Sequence, residues 1–292
     1  MSNNDLQSLI KDWKVNVVNS LGSSDDMERI AEYALHVSRI LAYPDLDIKA
    51  ILDKIDAMGR ELLLASKKSM PSRPTQIIEK INNYLFKEKG FKANLQDYYN
   101  PMNSYVNVVL EKKSGIPITL SIIYMRIAHI LKFRLYAVNF PAHFLVKHIL
   151  GENSEIIIDP FNGGRIMDDY TLQELLDPSK NILITRAYVE KATSAQVIIR
   201  MLKNLKASYY ESQDIDKAEI ANEMIIAIEP DNLDAVRDKG MILLKRKNPL
   251  EALEMLNMYL ELDPEVEDAD AVLTIIRQVR AELNKGKYNN NM

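Results

Sequence analysis

At 292 residues the chain has room for two domains of ordinary size, each with its own core. Its 47% hydrophobic and 27% charged residues give a soluble, globular balance, and a net charge of -4 argues against a broad phosphate-binding face. Cysteine is absent, which excludes disulfides, a thiolate nucleophile and cysteine-based zinc sites.

Residues 1-24 read as a polar N-terminal segment. Met1 to Lys11 lacks the apolar stretch and small-residue cleavage site of a secretory signal. No apolar run reaches the roughly 18 residues needed for a membrane span. A cytoplasmic protein with no membrane or nucleic-acid partner is the expectation.

Asp25 and Asp26 stand at a helix start, followed by Ile30, Ala34, Leu35, Val37, Ile40 and Leu41 at helical spacing. Tyr43-Pro44-Asp45 stops that helix. A second amphipathic helix carries Ile48, Ile51, Leu52, Ile55, Met58 and Leu62. Pro71-Ser72-Arg73-Pro74 breaks the chain, and Thr75 is placed to cap a third helix through Leu85. Gly90 to Pro101, with Phe91, Tyr98 and Tyr99, is too aromatic for a solvated tether and reads as an ordered loop. Ile118 to Leu131 is apolar almost all round, the pattern of a buried helix.

The periodicity then changes. Arg134 to Phe140, His143 to Leu150 and Glu155 to Asp159 are β-rich runs separated by Pro141 and by Gly151-Glu152-Asn153. Asn162-Gly163-Gly164 is a turn signal before a fourth run at Arg165 to Met167. Helices followed by a small antiparallel sheet make an α+β domain, bounded at 25-190.

Residues 191-284 read as all-α, with an internal repeat at a period of 34. Ala218 and Ala252 are one period apart, as are Pro230 and Pro264. A small residue at a helix crossing and a closing proline resemble the tetratricopeptide unit. Two units followed by a capping helix at Ala271 to Leu283 are expected, with residues 285-292 a disordered tail. Asn222 and Lys239 occupy positions that are usually apolar.

Candidate chemistry falls between Gly115 and Gly164. Of the four histidines, His36 and His129 lie in helical patterns and read as helix-face or core residues. His143 and His148, five apart in one strand, point to opposite faces, which weakens a metal site built from them and Asp159. If the strands on either side of Gly151 are antiparallel neighbours, His143 and Asp159 meet at one end of the sheet. That supplies a base and its orienter, two parts of a nucleophile–base–orienter set.

Several ordered motifs make a family resemblance specific. Tyr43-Pro44-Asp45-Leu46-Asp47, Tyr98-Tyr99-Asn100-Pro101-Met102-Asn103-Ser104, Gly115-Ile116-Pro117-Ile118-Thr119-Leu120-Ser121, Pro141-Ala142-His143-Phe144 and Asp159-Pro160-Phe161-Asn162-Gly163-Gly164 follow one another. The run resembles the SirB-type transglutaminase-like family, which often carries a tetratricopeptide C-terminal part. The resemblance implies a papain/transglutaminase-like core, with a nucleophile at the start of a central helix packed on an antiparallel sheet bearing His and Asp. His143 and Asp159 match those two members; Pro117 stands where the family's active enzymes carry cysteine. Tyr98, Asn103 and Asn162 lie within the matching motifs and are candidate binding residues with His143 and Asp159.

Two functional readings follow. The first is a non-catalytic, regulatory module that binds a protein or peptide through the degenerate cleft and a tetratricopeptide groove. The second is an amide or ester hydrolase with a hydroxyl nucleophile, Ser121 ahead of Thr119 or Ser114, with His143 as base and Asp159 as orienter. A serine within a helix commonly bonds the carbonyl four residues back, which counts against Ser121. Neither reading calls for a cofactor or a metal.

Overall fold

The computed structural model describes residues 3-23, 26-66, 73-152 and 154-289, with side chains as far as 284. Asp25, the Pro71-Ser72 break and Asn153 therefore lie outside the described residues. Packing divides the chain into two units. One is Val15–Ser208; the other joins residues up to Lys14 to those from Tyr209 onward.

The first unit opens with α2 (Ile30–Leu41), which follows α1 (Asn3–Asn16) of the other unit and is preceded by a 3-10 turn at Asp26–Arg29. Next come α3 (Ile48–Ala65), capped by the Asp47 carboxylate on the Ala50 N–H, and α4 (Pro74–Asn82). Thr75 does not cap α4. Pro74 takes the first helical position, where its missing N–H costs nothing, and Arg73 is the N-cap. From Asn83 to Glu88 the helix widens into a π turn. Strand β1 (Lys92–Ala93), helix α5 (Val106–Lys112) and strand β2 (Ser114–Gly115) lead into α6 (Pro117–Ile130). The two short strands pair in parallel, Ala93 opposite Gly115.

Helix α6 is the buried helix that its composition predicts: Pro117 to Met125, Ile127 and Ala128 are all buried. Gly59 makes room for it, since a Cβ at Gly59 would lie 2.8 Å from Cβ of Ile130. Arg126 grips Asp56 of α3 with a fork, Nε to Oδ1 at 2.6 Å and Nη2 to Oδ2 at 2.8 Å.

Against α6 lies an antiparallel meander, β3 (Tyr136–Val138), β4 (Leu145–Gly151), β5 (Ser154–Asp159) and β6 (Arg165–Met167), paired in chain order. Val146 pairs with Ile158, so the start of β4 and the end of β5 meet at the same end of the sheet. Helix α7 (Asp169–Leu176) packs Leu172 with Val138, Phe140, Leu145 and Ile157 in one apolar cluster. Helix α8 (Ser194–Glu211) begins here too. The Ala192 N–H just before it donates to the Ala137 carbonyl, and Arg200 donates to the Phe140 carbonyl. The helical part expected from 191 thus separates by packing only at 208/209.

The second unit contains α9 (Ile215–Ile228), α10 (Leu233–Lys245), α11 (Pro249–Leu262) and α12 (Ala269–Asn289). Ala218 and Ala252 are fully buried, and a Cβ at Gly240 would lie 2.7 Å from Leu256, so α10 and α11 cross closely. The two residues that break the repeat pattern have explicit partners. Asn222 Nδ2 donates to the Ala235 carbonyl at 2.9 Å, and Lys239 pairs with Glu223 at 2.9 Å. Helix α12 runs to Asn289, beyond the expected start of a tail at 285.

The N-terminal segment departs most from expectation. Residues 3–16 form a helix, and its Leu6 and Trp13 are buried. Leu6, Leu9, Ile10 and Trp13 recur at three- and four-residue spacing, a narrow apolar stripe masked by polar neighbours. The indole Nε1 of Trp13 donates to the Met224 carbonyl of α9 at 3.1 Å, which seats α1 in the helical unit.

Candidate functional site

The candidate site draws on three chain segments of the first unit: the N-terminus of α6, the turn before β4, and the turn after β5, with α6 in contact with both β4 and the 3-10 turn at Pro160–Asn162. Pro117 is the first residue of α6 and is buried. Ile116 before it is extended (φ -100°, ψ 169°), as a residue preceding proline must be, and its N–H donates to the Thr119 hydroxyl at 3.3 Å. Thr119 in turn donates to the Asn103 carbonyl at 2.8 Å. Its oxygen is occupied in holding the helix start, not available as a nucleophile. Ser114 lies in β2, paired with Lys92.

Ser121 is fully buried, and its Oγ has no hydrogen-bond partner among the described residues. It does not make the bond to the preceding turn that a helical serine commonly makes.

His143 sits two residues before β4, not within it, in a turn closed by its own N–H on the Phe140 carbonyl at 3.1 Å. Ala142 before it holds φ +53°, a left-handed conformation that costs a non-glycine residue about 1–2 kcal/mol. The turn brings the imidazole Nε2 to 3.0 Å from Oδ1 of Asp159. The oxygen lies off the line of the ring N–H, so the two side chains are in close contact without a directed hydrogen bond.

Asp159 makes its hydrogen bonds elsewhere. Oδ1 accepts the N–H groups of Phe161 (3.0 Å) and Asn162 (3.2 Å), and Oδ2 accepts Nδ2 of Asn162 at 2.7 Å. It is thereby the cap of the 3-10 turn Pro160–Asn162. Burial pushes its carboxyl up, but His143 and the Asn162 donors together outweigh burial and hold it below the ordinary carboxylate value.

Around this pair stand Phe161, whose ring meets the imidazole edge-on at 5.8 Å, and Tyr98, which meets Phe161 at 6.1 Å. Tyr98 is positioned by a polar knot. Asn103 Nδ2 donates to the carbonyls of Asp97 (2.6 Å) and Tyr98 (3.2 Å), and its Oδ1 accepts from Asn94 at 2.9 Å. The Asn103 amide is spent inside this loop, so its part in the site is to place Tyr98. Asn162 is similarly committed to Asp159 through its amide nitrogen.

A second knot fixes the far side of the turn. Gly164 has φ +75°, and a Cβ there would fall 1.8 Å from Oδ1 of Asn82. Asn82 donates to the Gly164 carbonyl at 2.8 Å and accepts from the Tyr124 hydroxyl at 2.9 Å.

His148 is excluded from the site: its ring stacks on Phe133 at 4.2 Å and Nδ1 lies 2.8 Å from the Arg134 carbonyl. His36 meets Arg39 at 3.1 Å, and His129 lies 3.7 Å from Glu28. No group of three metal-ligating side chains occurs among the described residues.

A transglutaminase-like superfamily model matches residues 49–203, more than half of the chain. The chain belongs to the transglutaminase-like superfamily. A tetratricopeptide repeat model matches residues 205–277, and the change from one to the other falls close to the packing boundary at 208/209. The UPF0162 protein of Xylella fastidiosa strain Temecula1 is 31% identical over 260 residues, 87% of this chain and 91% of that one. The UPF0162 protein of Vibrio cholerae is 27% identical over 159 residues, 54% of this chain and 58% of that one. Human F-box only protein 21 is 28% identical over 212 residues, 63% of this chain but 33% of that larger protein. In this transglutaminase-like chain no thiol can stand beside His143, because the sequence contains none.

Proposed function

We propose that this chain is a non-catalytic, regulatory module that binds a protein or peptide through the cleft beside His143 and through its tetratricopeptide helices. The observation that carries the reading is Pro117 at the head of α6. Proline has neither a nucleophile nor a backbone N–H, so the helix start loses both the attacking group and one donor that would stabilise an oxyanion. His143 and Asp159 persist as a buried pair, and Asp159 is satisfied by the turn it caps. Tetratricopeptide helices present concave surfaces suited to peptide segments, which supports the binding half of the proposal.

The unpartnered Ser121 hydroxyl favours a second reading, amide or ester hydrolysis with His143 as base. Its complete burial opposes attack on a substrate of any size. The two readings part in a panel of ester, amide and transamidation substrates run with wild type, Ser121→Ala and His143→Ala, each checked by thermal melting. The binding reading expects no turnover above the His143→Ala background. Turnover that vanishes in both variants with melting unchanged would establish the hydrolase.

A further inference from the structure

Arg200, on α8, is half-buried, and among the described residues no carboxylate pairs with it. Three other half-buried arginines each pair with a carboxylate: Arg29 meets Glu32, Arg126 meets Asp56, and Arg237 meets Asp238 and Asp268. A guanidinium withdrawn from water without a counter-charge is costly unless something else supplies the acceptor.

Its placement ties it to the site already described. One carbonyl, that of Phe140, accepts both the His143 N–H at 3.1 Å and Nη1 of Arg200 at 2.7 Å. Nη1 is also bonded to the Asn139 side chain, and the guanidinium lies 5.9 Å from the Phe144 ring centre. A row of ring contacts runs from the same imidazole: His143 packs on Phe161 and Phe161 on Tyr98, whose hydroxyl lies within the electrostatic reach of Arg200.

Three polar heads along this row have no hydrogen-bonding partner among the described residues: the Nη2 edge of Arg200, the Tyr98 hydroxyl and Nδ1 of His143. Arginine and tyrosine are donors, and imidazole donates when protonated. The free edge of the arginine and the tyrosine O–H offer donors to an outside acceptor, and a carboxylate is the group an arginine fork holds bidentately. Beside it Tyr99, whose ring meets that of Tyr98 edge-on at 5.3 Å, is exposed to 74%, an aromatic face next to the polar row.

We propose that Arg200, Tyr98 and His143 form a receptor for the carboxylate of an extended peptide, with the apolar residue beside that carboxylate resting on Tyr99. The carboxylate is an acidic side chain or a chain terminus. The proposal rests on the binding function above and names the chemistry of its partner.

The test uses the full chain and two kinds of probe. N-acetylglutamine (terminal carboxylate), N-acetylglutamate α-amide (side-chain carboxylate) and N-acetylglutaminamide (none) are titrated while the His143 imidazole is followed by NMR. In parallel, a random 12-residue peptide phage library is selected on wild type and on Arg200→Gln. A carboxylate-dependent shift of the His143 signals is expected, weakened at least tenfold in Arg200→Gln and less in Arg200→Lys, which keeps the charge but loses the fork. Selected peptides should carry an acidic residue next to an apolar one and lose binding to Arg200→Gln. The two monocarboxylates decide between side chain and terminus. An equal response to the glutaminamide, or none to any probe, overturns the receptor. Acid-free peptides that bind Arg200→Gln undiminished also overturn it, yet leave peptide binding standing. No peptide binder and no shift defeats both. Both variants are checked for an unchanged melt, and Tyr98→Phe, which removes only the hydroxyl, serves as a second weakening variant should Arg200→Gln unfold.

Discussion

Asp159 offers the sharpest test of whether the His143–Asp159 pair is a triad remnant or a piece of architecture. In the structure the carboxylate accepts three hydrogen bonds from its own turn and contacts His143 off the hydrogen-bonding direction. Asp159→Ala removes an N-cap, about 0.5–2 kcal/mol. It also leaves buried donors without an acceptor, about 1–3 kcal/mol. Allowing for non-additivity, a loss of about 3 kcal/mol is expected. Asp159→Asn keeps one oxygen for the Phe161 and Asn162 N–H groups and gives up the charge, so about 1 kcal/mol is expected. His143→Ala leaves the cap whole and falls between them, mostly through lost packing on Phe161. The assay is urea unfolding followed by far-UV circular dichroism. The pH dependence has a definite sign. The folded carboxyl lies below its unfolded value of about 3.9, so its contribution is complete above that value and is lost as pH falls through the lower folded value. The gap between wild type and Asp159→Asn should therefore narrow only below about pH 4. Equal losses for Asp159→Asn and Asp159→Ala, or a larger loss for His143→Ala than for Asp159→Ala, would refute the capping account.

Other expectations concern neighbouring features. Gly164→Ala demands a left-handed alanine whose Cβ overlaps Asn82, and should cost about 3 kcal/mol or more in the same unfolding assay; a neutral result would show that the Asn82 knot yields easily. Ala142→Gly relieves the positive φ beside His143 and should be neutral or stabilising by up to about 1 kcal/mol, read as a rise in melting temperature. Trp13→Ala should cost about 3–5 kcal/mol and raise amide exchange in α9, whereas Trp13→Phe should lose about 1 kcal/mol for the Met224 bond; unchanged exchange in α9 would contradict the docking of α1. Pro117→Cys places a thiol at a helix N-terminus, so its iodoacetamide reactivity should titrate below the free-cysteine value of about 8.5; an ordinary or raised midpoint would deny the helix start its electrostatic character.

Much of the fold was legible because it rests on strong periodicity. Helix α6 is apolar almost all round and buried on most sides, and the runs ending at Asp159 and starting near His143 are rich in strand-forming residues and bounded by turn signals. Antiparallel pairing brought His143 and Asp159 to the same end of the sheet, but the turn through Ala142, which sets the imidazole against the carboxylate, was not legible. What escaped was governed by tertiary context. The N-terminal segment hides a stripe only four residues long, and its burial depends on α9, more than 200 positions away. Thr75 has the right chemistry to cap, but Pro74 already fits the first turn. Arg200 gives no local signal, because an arginine on an amphipathic helix is ordinary until its neighbours are known. The motifs singled out Asn103 and Asn162 as binding candidates, but their amides are bound to backbone and carboxylate groups that no spacing rule reveals.

The Trp13–Met224 bond spans 211 positions of sequence, and this sets an order of events during synthesis. Helix α1 leaves the ribosome long before the helix that will receive it, and at 5–20 residues per second the wait is on the order of ten to forty seconds. A 14-residue helix is marginal alone in water, so over that interval α1 is an exposed amphipathic strip with an indole and no seat. The intervening residues, Val15–Ser208, can close on themselves meanwhile, which shortens the effective tether that must loop back. Completion of the helical unit is thus timed by its last-made helices, and a nascent chain arrested before α9 would display Trp13 to whatever factor attends the exit tunnel.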